Sequence, residues 1–169
     1  LFTLPHSGVD RALRETVSGA DLPSTLTVEV KVGAHHAARN RGGAYRIHVE
    51  DAQTSFQLVF FHGRSDYLNR VLPQGSARVV SGKVEMFDGV VQMVHPEHIV
   101  PVAEVGTIPA FEPVYPFTAG VTQKTMFKAS RAALALLPRF DEWIDPNQLA
   151  EAGWPDFASA MIRAHTPES

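Results

Sequence analysis

Residues 25–32 alternate between polar and apolar side chains without interruption, and this run constrains the fold more than any other feature of the sequence. The apolar side chains occupy every second position: Leu26, Val28, Val30 and Val32. Alternate residues of a β-strand point to opposite faces, so a period of two predicts a strand with one buried face. A single strand cannot bury that face alone, and the segment therefore predicts a sheet or barrel.

The same alternation continues in two further segments. Residues 44–50 place Tyr45, Ile47 and Val49 inward, and residues 55–61 place Phe56, Leu58 and Phe60 on one face and Phe61 on the other. Over residues 64–72 the period changes to that of a short helix, which Pro73 ends. Two more strands, 76–87 and 90–95, flank Asp88-Gly89, a pair that favours a tight hairpin.

The order of three strands, a helix and two strands is that of the OB-fold, a Greek-key barrel that commonly binds oligonucleotides. We predict a mainly β chain with a helical tail: a five-stranded OB-fold barrel with a helix between strands 3 and 4, followed by C-terminal helices. The predicted boundaries are an N-terminal segment at 1–22, the barrel at 23–100, a Pro-rich extended connector at 101–121 and the helical tail at 122–169.

Composition excludes several classes of function. The chain has no cysteine, which excludes disulfides and thiolate catalysis, and no apolar run approaches the ~18 residues of a membrane span. Its start lacks the features of a signal peptide, so we expect an intracellular protein, and the missing initial Met suggests a piece of a longer one. Gly82-Lys83-Val84 matches a phosphate-binding P-loop poorly, and the histidines lack metal-ligand spacing. We expect no catalytic residue, cofactor or metal in this segment.

The middle of the chain is basic although the whole chain has a net charge of −3. Residues 31–83 contain eight Lys and Arg residues against three acids, a balance that is compatible with an anion-binding surface and equally with scattered solvated bases. The bases that would track phosphates are Arg39, Arg41, Arg46 and Arg64.

Aromatic residues lie beside these bases. Phe61 faces away from its strand's core positions next to His62 and Arg64, an arrangement typical of a platform on which a base stacks. Contact with the connector or with a neighbouring domain is the alternative for Phe61. Tyr67, in the predicted helix, either packs inward with Val71 or points at a ligand, and the sequence leaves both open.

Short motifs occur in a fixed order along nearly the whole chain: Leu4-Pro5, Asp10-Arg11, Phe60-Phe61-His62, Gly82-Lys83-Val84, Asp88-Gly89, Met93-Val94-His95-Pro96-Glu97, Val114-Tyr115-Pro116-x-Thr118-x-Gly120 and Ile162-Arg163-Ala164-His165-Thr166-Pro167. The set resembles the N-terminal wedge region of RecG, the bacterial ATP-dependent branch-migration DNA helicase family. His62 stands where that family usually has Asn.

The resemblance implies an OB-fold wedge that splits duplex strands at stalled forks and Holliday junctions, in DNA repair and recombination. The first stacking aromatic of the family corresponds to Phe61, with Phe60 and His62 beside it, and the second to Tyr67. ATP and Mg would act in two motor domains later in the parent chain, in the bacterial cytoplasm. The resemblance implies three partners, which are forked or four-way DNA, those motor domains and single-strand-binding protein, and it implies no membrane. The alternative is an OB-fold protein-interaction module that docks on a motor domain or on single-strand-binding protein.

Overall fold

The computed structural model describes residues 3–38, 43–116, 120–138 and 140–166. In chain order, the strands are β1 (Ser7–Asp10), β2 (Leu13–Arg14), β3 (Ser24–His36), β4 (Ala44–Glu50), β5 (Ser55–Phe61), β6 (Ala77–Phe87), β7 (Val90–Val94), β8 (His98–Pro101) and β9 (Phe111–Val114). The helices are α1 (Ser65–Val71), α2 (Gln123–Ala135), α3 (Pro146–Ala152) and α4 (Phe157–His165), with a 3₁₀ helix at Val102–Thr107.

The chain divides into two compact units. The first, which we call the barrel unit, comprises residues 10–110, and the second, the helical unit, comprises residues 1–9 with 111–169. The two-stranded β1–β9 sheet joins the two sequence segments of the helical unit, where the His6 amide donates to the Val114 carbonyl at 2.9 Å.

The barrel unit is built on a seven-stranded sheet in the order β2-β3-β4-β5-β7-β6-β8. A further antiparallel pairing of β3 with β6 closes five of these strands into a barrel. The remaining step of the closure is a parallel pairing of β5 with β7, in register from Gln57↔Gln92 to Val59↔Val94. Strand β6 is long enough to pair with β8 through residues 78–81 and with β7 through residues 84–87 on the same edge.

The alternation read from the sequence corresponds to the core of this barrel. Every predicted inward position of β3, β4 and β5 is buried: Leu26, Val28, Val30, Val32, Tyr45, Ile47, Val49, Phe56, Leu58 and Phe60. Helix α1 contributes Leu68, and Leu72 follows at its C-terminal end; both are buried in the same cluster. Side chains at every second position of a strand are brought together only when the sheet curls, so the barrel places them in one core.

The structure differs from the sequence prediction in the number of strands. The described residues form nine strands rather than five, because β1, β2, β8 and β9 are too short to show a period. With β1 and β2 included in the count, helix α1 follows the fifth strand rather than the third. Residues 101–121, predicted to be extended, include the 3₁₀ helix and β9. Thr27, on the polar face of its strand, is only 1% exposed.

The burial of Thr27 has a tertiary cause. Strand β2 pairs beside it, in register Leu13↔Thr27, and the nearby Arg11 side chain is itself buried. The Thr27 hydroxyl donates to the Ser81 hydroxyl at 2.7 Å, and that hydroxyl also accepts from the Arg11 guanidinium at 2.9 Å. Polar side chains of β3 and β6 are thereby satisfied under the N-terminal segment.

In the helical unit, the sequence signals for helix ends agree with the structure. Asp145 caps α3 by accepting from the Asn147 amide at 2.8 Å, Pro146 follows, and Gly153 ends the helix at φ 64°. Asp156 caps α4 in the same way. The Tyr115 hydroxyl and His165 Nδ1 lie 2.9 Å apart, and both side chains are buried. This contact joins the residue that follows β9 to the last helix of the helical unit. No helix among the described residues is long and apolar enough to cross a membrane.

Candidate nucleic-acid interface

Phe61 occupies the last position of β5 and faces outward, as the alternation of that strand predicts. Its side chain is 49% exposed, whereas the neighbouring Phe60 is 7% exposed and belongs to the core. His62 follows in a left-handed conformation, φ 59°, which ends the strand directly after Phe61. A half-exposed aromatic ring at a strand end offers one free face for stacking.

His95, which directly follows the neighbouring strand β7, supports Phe61. The Phe61 amide donates to Nε2 of His95 at 3.1 Å, and the two ring centroids lie 5.7 Å apart. His95 also meets the Phe60 ring edge-on, with centroids 6.0 Å apart. The imidazole thus contacts both phenylalanines at this end of the barrel.

Tyr67 points away from the core. Helix α1 buries Leu68 beneath it, and the Tyr67 side chain is 51% exposed, so the outward alternative left open by the sequence is the observed one. The Arg70 guanidinium lies 5.7 Å from the Tyr67 ring centroid. Arg64, Asp66, Tyr67 and Arg70 line one shallow depression, in which three of the four side chains are basic or aromatic.

The C-terminal end of α1 is held by side chains from the sheet. Nε of Arg78 donates to the Val71 carbonyl at 3.0 Å, and Nε2 of His35 lies 2.9 Å from the Leu72 carbonyl. Since a carbonyl can only accept, this nitrogen of His35 carries its proton. These two contacts orient the helix, and with it Tyr67 and Arg70, relative to the barrel.

Arg46 lies on the same face of the sheet as Phe61. In the β4–β5 pairing Ala44 is opposite Phe61 and Arg46 is opposite Val59, and residues two apart on a strand share a face. His36 of β3 is opposite Arg46 in the next pairing. Two adjoining hollows continue this face past His62, lined by His35, His36, Ala37, Ala38, Gly43, Ala44, Arg46, Tyr45, His62, Gly63 and Ser65.

We call the surface formed by these strands and α1 the β4–β5–α1 face; its exposed basic and aromatic side chains are His36, Arg46, Phe61, His62, Arg64, Tyr67 and Arg70. Arg39 and Arg41 were also predicted to contact phosphates, but they lie outside the described residues. Phe60 was predicted beside Phe61 as a DNA contact, and its burial does not favour direct contact, because packing inside the barrel covers its ring.

Sequence reasoning left two side chains of this face and one supporting residue out of the predicted site. His36 and Arg70 have no motif of their own and are adjacent to the site only through strand pairing and the turn of α1. His95 is marked in the sequence only as part of a family motif, and it lies 34 positions from Phe61, the residue that it contacts. Among the described residues, no cluster of three potential metal ligands occurs.

The fold has a counterpart among known families. The model of the family of OB-fold nucleic acid binding domains matches residues 26–101, which are the closed barrel with β8. The barrel is an OB-fold. The predicted fold class of the chain, mainly β with C-terminal helices, is confirmed.

A curated relative matches far beyond the barrel. The ATP-dependent DNA helicase RecG of Aquifex aeolicus (strain VF5) is 24% identical over 178 residues, which cover 99% of this chain. The chain is similar in sequence to RecG over nearly its whole length. The resemblance read from the ordered motifs is confirmed, and the chain spans about a fifth of the length of this relative, 22%.

A solved structure of RecG shares the same fold. The structure of RecG bound to a three-way DNA junction superposes with a TM-score of 0.75 at 20% identity, over 99% of this chain and 23% of the RecG chain. The match includes both the barrel unit and the helical unit. The RecG fold over this region therefore includes the helical tail as well as the OB-fold.

Proposed function

We propose that this chain is the branched-DNA-binding wedge segment of a RecG-type helicase that processes stalled forks and Holliday junctions. The observation that carries the proposal is the half-exposed Phe61 ring at the end of β5, on one face with Arg46 and followed in the chain by the exposed Arg64 and Tyr67. Basic side chains flanking exposed aromatics are the pattern with which proteins hold unpaired nucleic acid. The similarity to RecG, solved on a three-way DNA junction, supports branched rather than plain DNA.

The proposed mechanism is mechanical. A motor elsewhere in the parent chain pulls duplex DNA, and the closed barrel is too wide to pass between the paired strands, so they separate on either side of it. A base at the branch point loses its stacking neighbour, at about 1.4 kcal/mol per step. Stacking on Phe61 offsets this loss, and the basic side chains of the β4–β5–α1 face hold the phosphates.

The remaining expectations belong to the parent protein. We propose that the parent is an ATP-dependent DNA helicase and ATP hydrolase of the bacterial cytoplasm, with ATP and Mg bound by its motor domains rather than by this segment. Those motor domains, forked or four-way DNA and single-strand-binding protein are its proposed partners. The relative named above as an ATP-dependent DNA helicase supports this assignment.

The test compares two phenylalanines of the same barrel. Binding of the chain to a labelled three-way fork and to plain duplex is measured for the wild type, Phe61→Ala and the control Phe87→Ala. Phe87 is also exposed, but it lies on the β6–β7 hairpin. Because β7 runs parallel to β5, with Gln92 opposite Gln57, this hairpin lies near the start of β5, whereas Phe61 lies at its end. Loss of one stacked base, ~1–3 kcal/mol, predicts about 5- to 150-fold weaker fork binding for Phe61→Ala and little change for Phe87→Ala.

Two results would contradict the proposal. Equal losses in both variants would show that any exposed phenylalanine contributes, and an unchanged fork preference in Phe61→Ala would remove the stacking site. Circular dichroism of each variant checks that the barrel remains folded.

A protein-interaction module is the second candidate, and a different surface favours it. The tip of the β6–β7 hairpin exposes Met86, Phe87 and Val90 next to the acidic Glu85 and Asp88. Apolar side chains beside acids suit a protein partner better than a phosphate backbone. Salt separates the two candidates, because phosphate binding weakens steeply with salt concentration whereas an apolar protein interface does not.

A further inference from the structure

The hydrogen bond from Phe61 to His95 replaces a bond of the sheet. The parallel β5–β7 pairing is regular up to Val59↔Val94, and the His95 amide still donates to the Val59 carbonyl at 2.9 Å. The next bond of a parallel ladder would run from the Phe61 amide to the His95 carbonyl. The Phe61 amide donates instead to the His95 ring nitrogen at 3.1 Å.

The backbone of His95 explains this exchange. Its φ of 47° is in the left-handed region, which non-glycine residues seldom occupy and which ends the regular extended path of β7. Pro96 follows and cannot donate to a ladder. The side chain of His95 therefore accepts the hydrogen bond of the Phe61 amide at the point where the backbone of β7 turns away from β5.

The imidazole does more than accept this hydrogen bond. It lies edge-on to Phe60, at 87° with centroids 6.0 Å apart, and tilted by 42° to Phe61, with centroids 5.7 Å apart. Phe60 is fixed in the core, so the imidazole links a buried ring to the exposed one. The Phe61 amide and ring are thus both in contact with the same side chain.

We propose that His95 is a positioning residue for DNA binding, which holds Phe61 in the orientation that stacks on a base at the branch point. This inference rests on the proposed function of Phe61. A backbone amide can only donate, so Nε2 of His95 is the unprotonated acceptor, and in the neutral ring Nδ1 carries the proton. A ring held in its bound orientation loses less conformational freedom on binding, so it binds more tightly than a mobile one.

The functional test is a double-mutant cycle. His95→Phe keeps an aromatic ring without the acceptor, and His95→Gln keeps an acceptor at similar reach without the ring. We expect His95→Phe to weaken fork binding about 3- to 10-fold when Phe61 is present. In the Phe61→Ala background the same change is expected to have almost no effect, because its action passes through Phe61. His95→Gln should recover part of the loss.

The result that would overturn the proposal is an equal loss from His95→Phe in both backgrounds, or no loss in either. Normal fork binding by Phe61→Ala would instead refute the proposed function, while the second measurement still decides whether His95 holds Phe61. Circular dichroism shows whether each variant folds, and if His95→Phe does not fold, the comparison rests on His95→Gln.

The second measurement is independent of DNA. In the unmodified chain, ¹⁵N NMR of the imidazole should show an unprotonated Nε2 coupled through the hydrogen bond to the Phe61 amide. Exchange of the Phe61 amide hydrogen should become faster in His95→Phe and less so in His95→Gln. A protonated Nε2 at neutral pH, or a Phe61 amide equally protected in both variants, would contradict a positioning role.

Discussion

Arg11 is expected to be among the most important polar residues for the stability of the barrel unit. Its side chain is 5% exposed and donates through Nη1 to the Ser81 hydroxyl at 2.9 Å and through Nη2 to the Glu97 carboxylate. Arg11 therefore joins the N-terminal segment to β6 and to Glu97, the residue directly before β8. Two of the motifs that mark the RecG resemblance, Asp10-Arg11 and Pro96-Glu97, meet in this contact.

Replacing Arg11 by Met is expected to lower the free energy of unfolding by about 1.5–4 kcal/mol. A hydrogen bond from a charged donor contributes about 1.5–3 kcal/mol, and the bond to the fully buried Ser81 falls in this range. The Glu97 side chain is 56% exposed and regains water when its partner is removed, so that ion pair adds only about 0–1 kcal/mol. Met retains most of the apolar stem of Arg11, so loss of packing adds little.

The control is Glu97→Gln, which keeps an acceptor for Arg11 and removes only the charge, with an expected loss of about 0–1 kcal/mol. Both tryptophans, Trp143 and Trp154, belong to the helical unit, so their fluorescence does not report directly on the barrel. Native-state hydrogen exchange of the β3 and β6 amides measures the stability of the barrel itself. A loss below 1 kcal/mol for Arg11→Met, or equal losses in the two variants, would refute this reasoning.

Three further predictions concern the site and the pH dependence of stability. Tyr67→Ala should weaken fork binding about 5- to 150-fold while Tyr67→Phe does not, measured by titration of a labelled fork; equal effects would exclude stacking. Replacing Arg64 or Arg70 by Gln should each reduce the slope of log K against log salt by about 1, and an unchanged slope would exclude a phosphate contact. Burial raises the pKa of Asp51, but hydrogen bonds from the amides of Gln53, Val17 and Thr54 and from the Thr16 hydroxyl outweigh it and leave the pKa below its usual value. Stability from Asp51 is therefore complete above the unfolded pKa of about 3.9 and is lost as pH falls through the lower folded value. Asp51→Asn should cost about 1–2 kcal/mol in urea unfolding at pH 7 and less at pH 3, and an equal cost at both would refute this assignment.

The β4–β5–α1 face shows how much of a candidate site the period of one strand can predict. The period of β5 predicts that Phe60 is buried and Phe61 is outward, and both positions are as predicted. The period of the following helix does not decide Tyr67, because a residue in a first turn can face either way. Its outward position follows from the burial of Leu68 and the capping of α1 by Arg78 and His35, which come from distant strands.

The sequence by itself determined the strands with a regular period, the ends of the later helices and the inward side of the barrel. These properties are local, since strand alternation, caps and hairpin turns depend on residues a few positions apart. Tertiary structure decided what alternation cannot encode: the short strands β1, β2, β8 and β9, the burial of Thr27 under Arg11, and the hydrogen bond from Phe61 to His95. Each depends on chain segments that are separated in sequence and meet only in the folded chain.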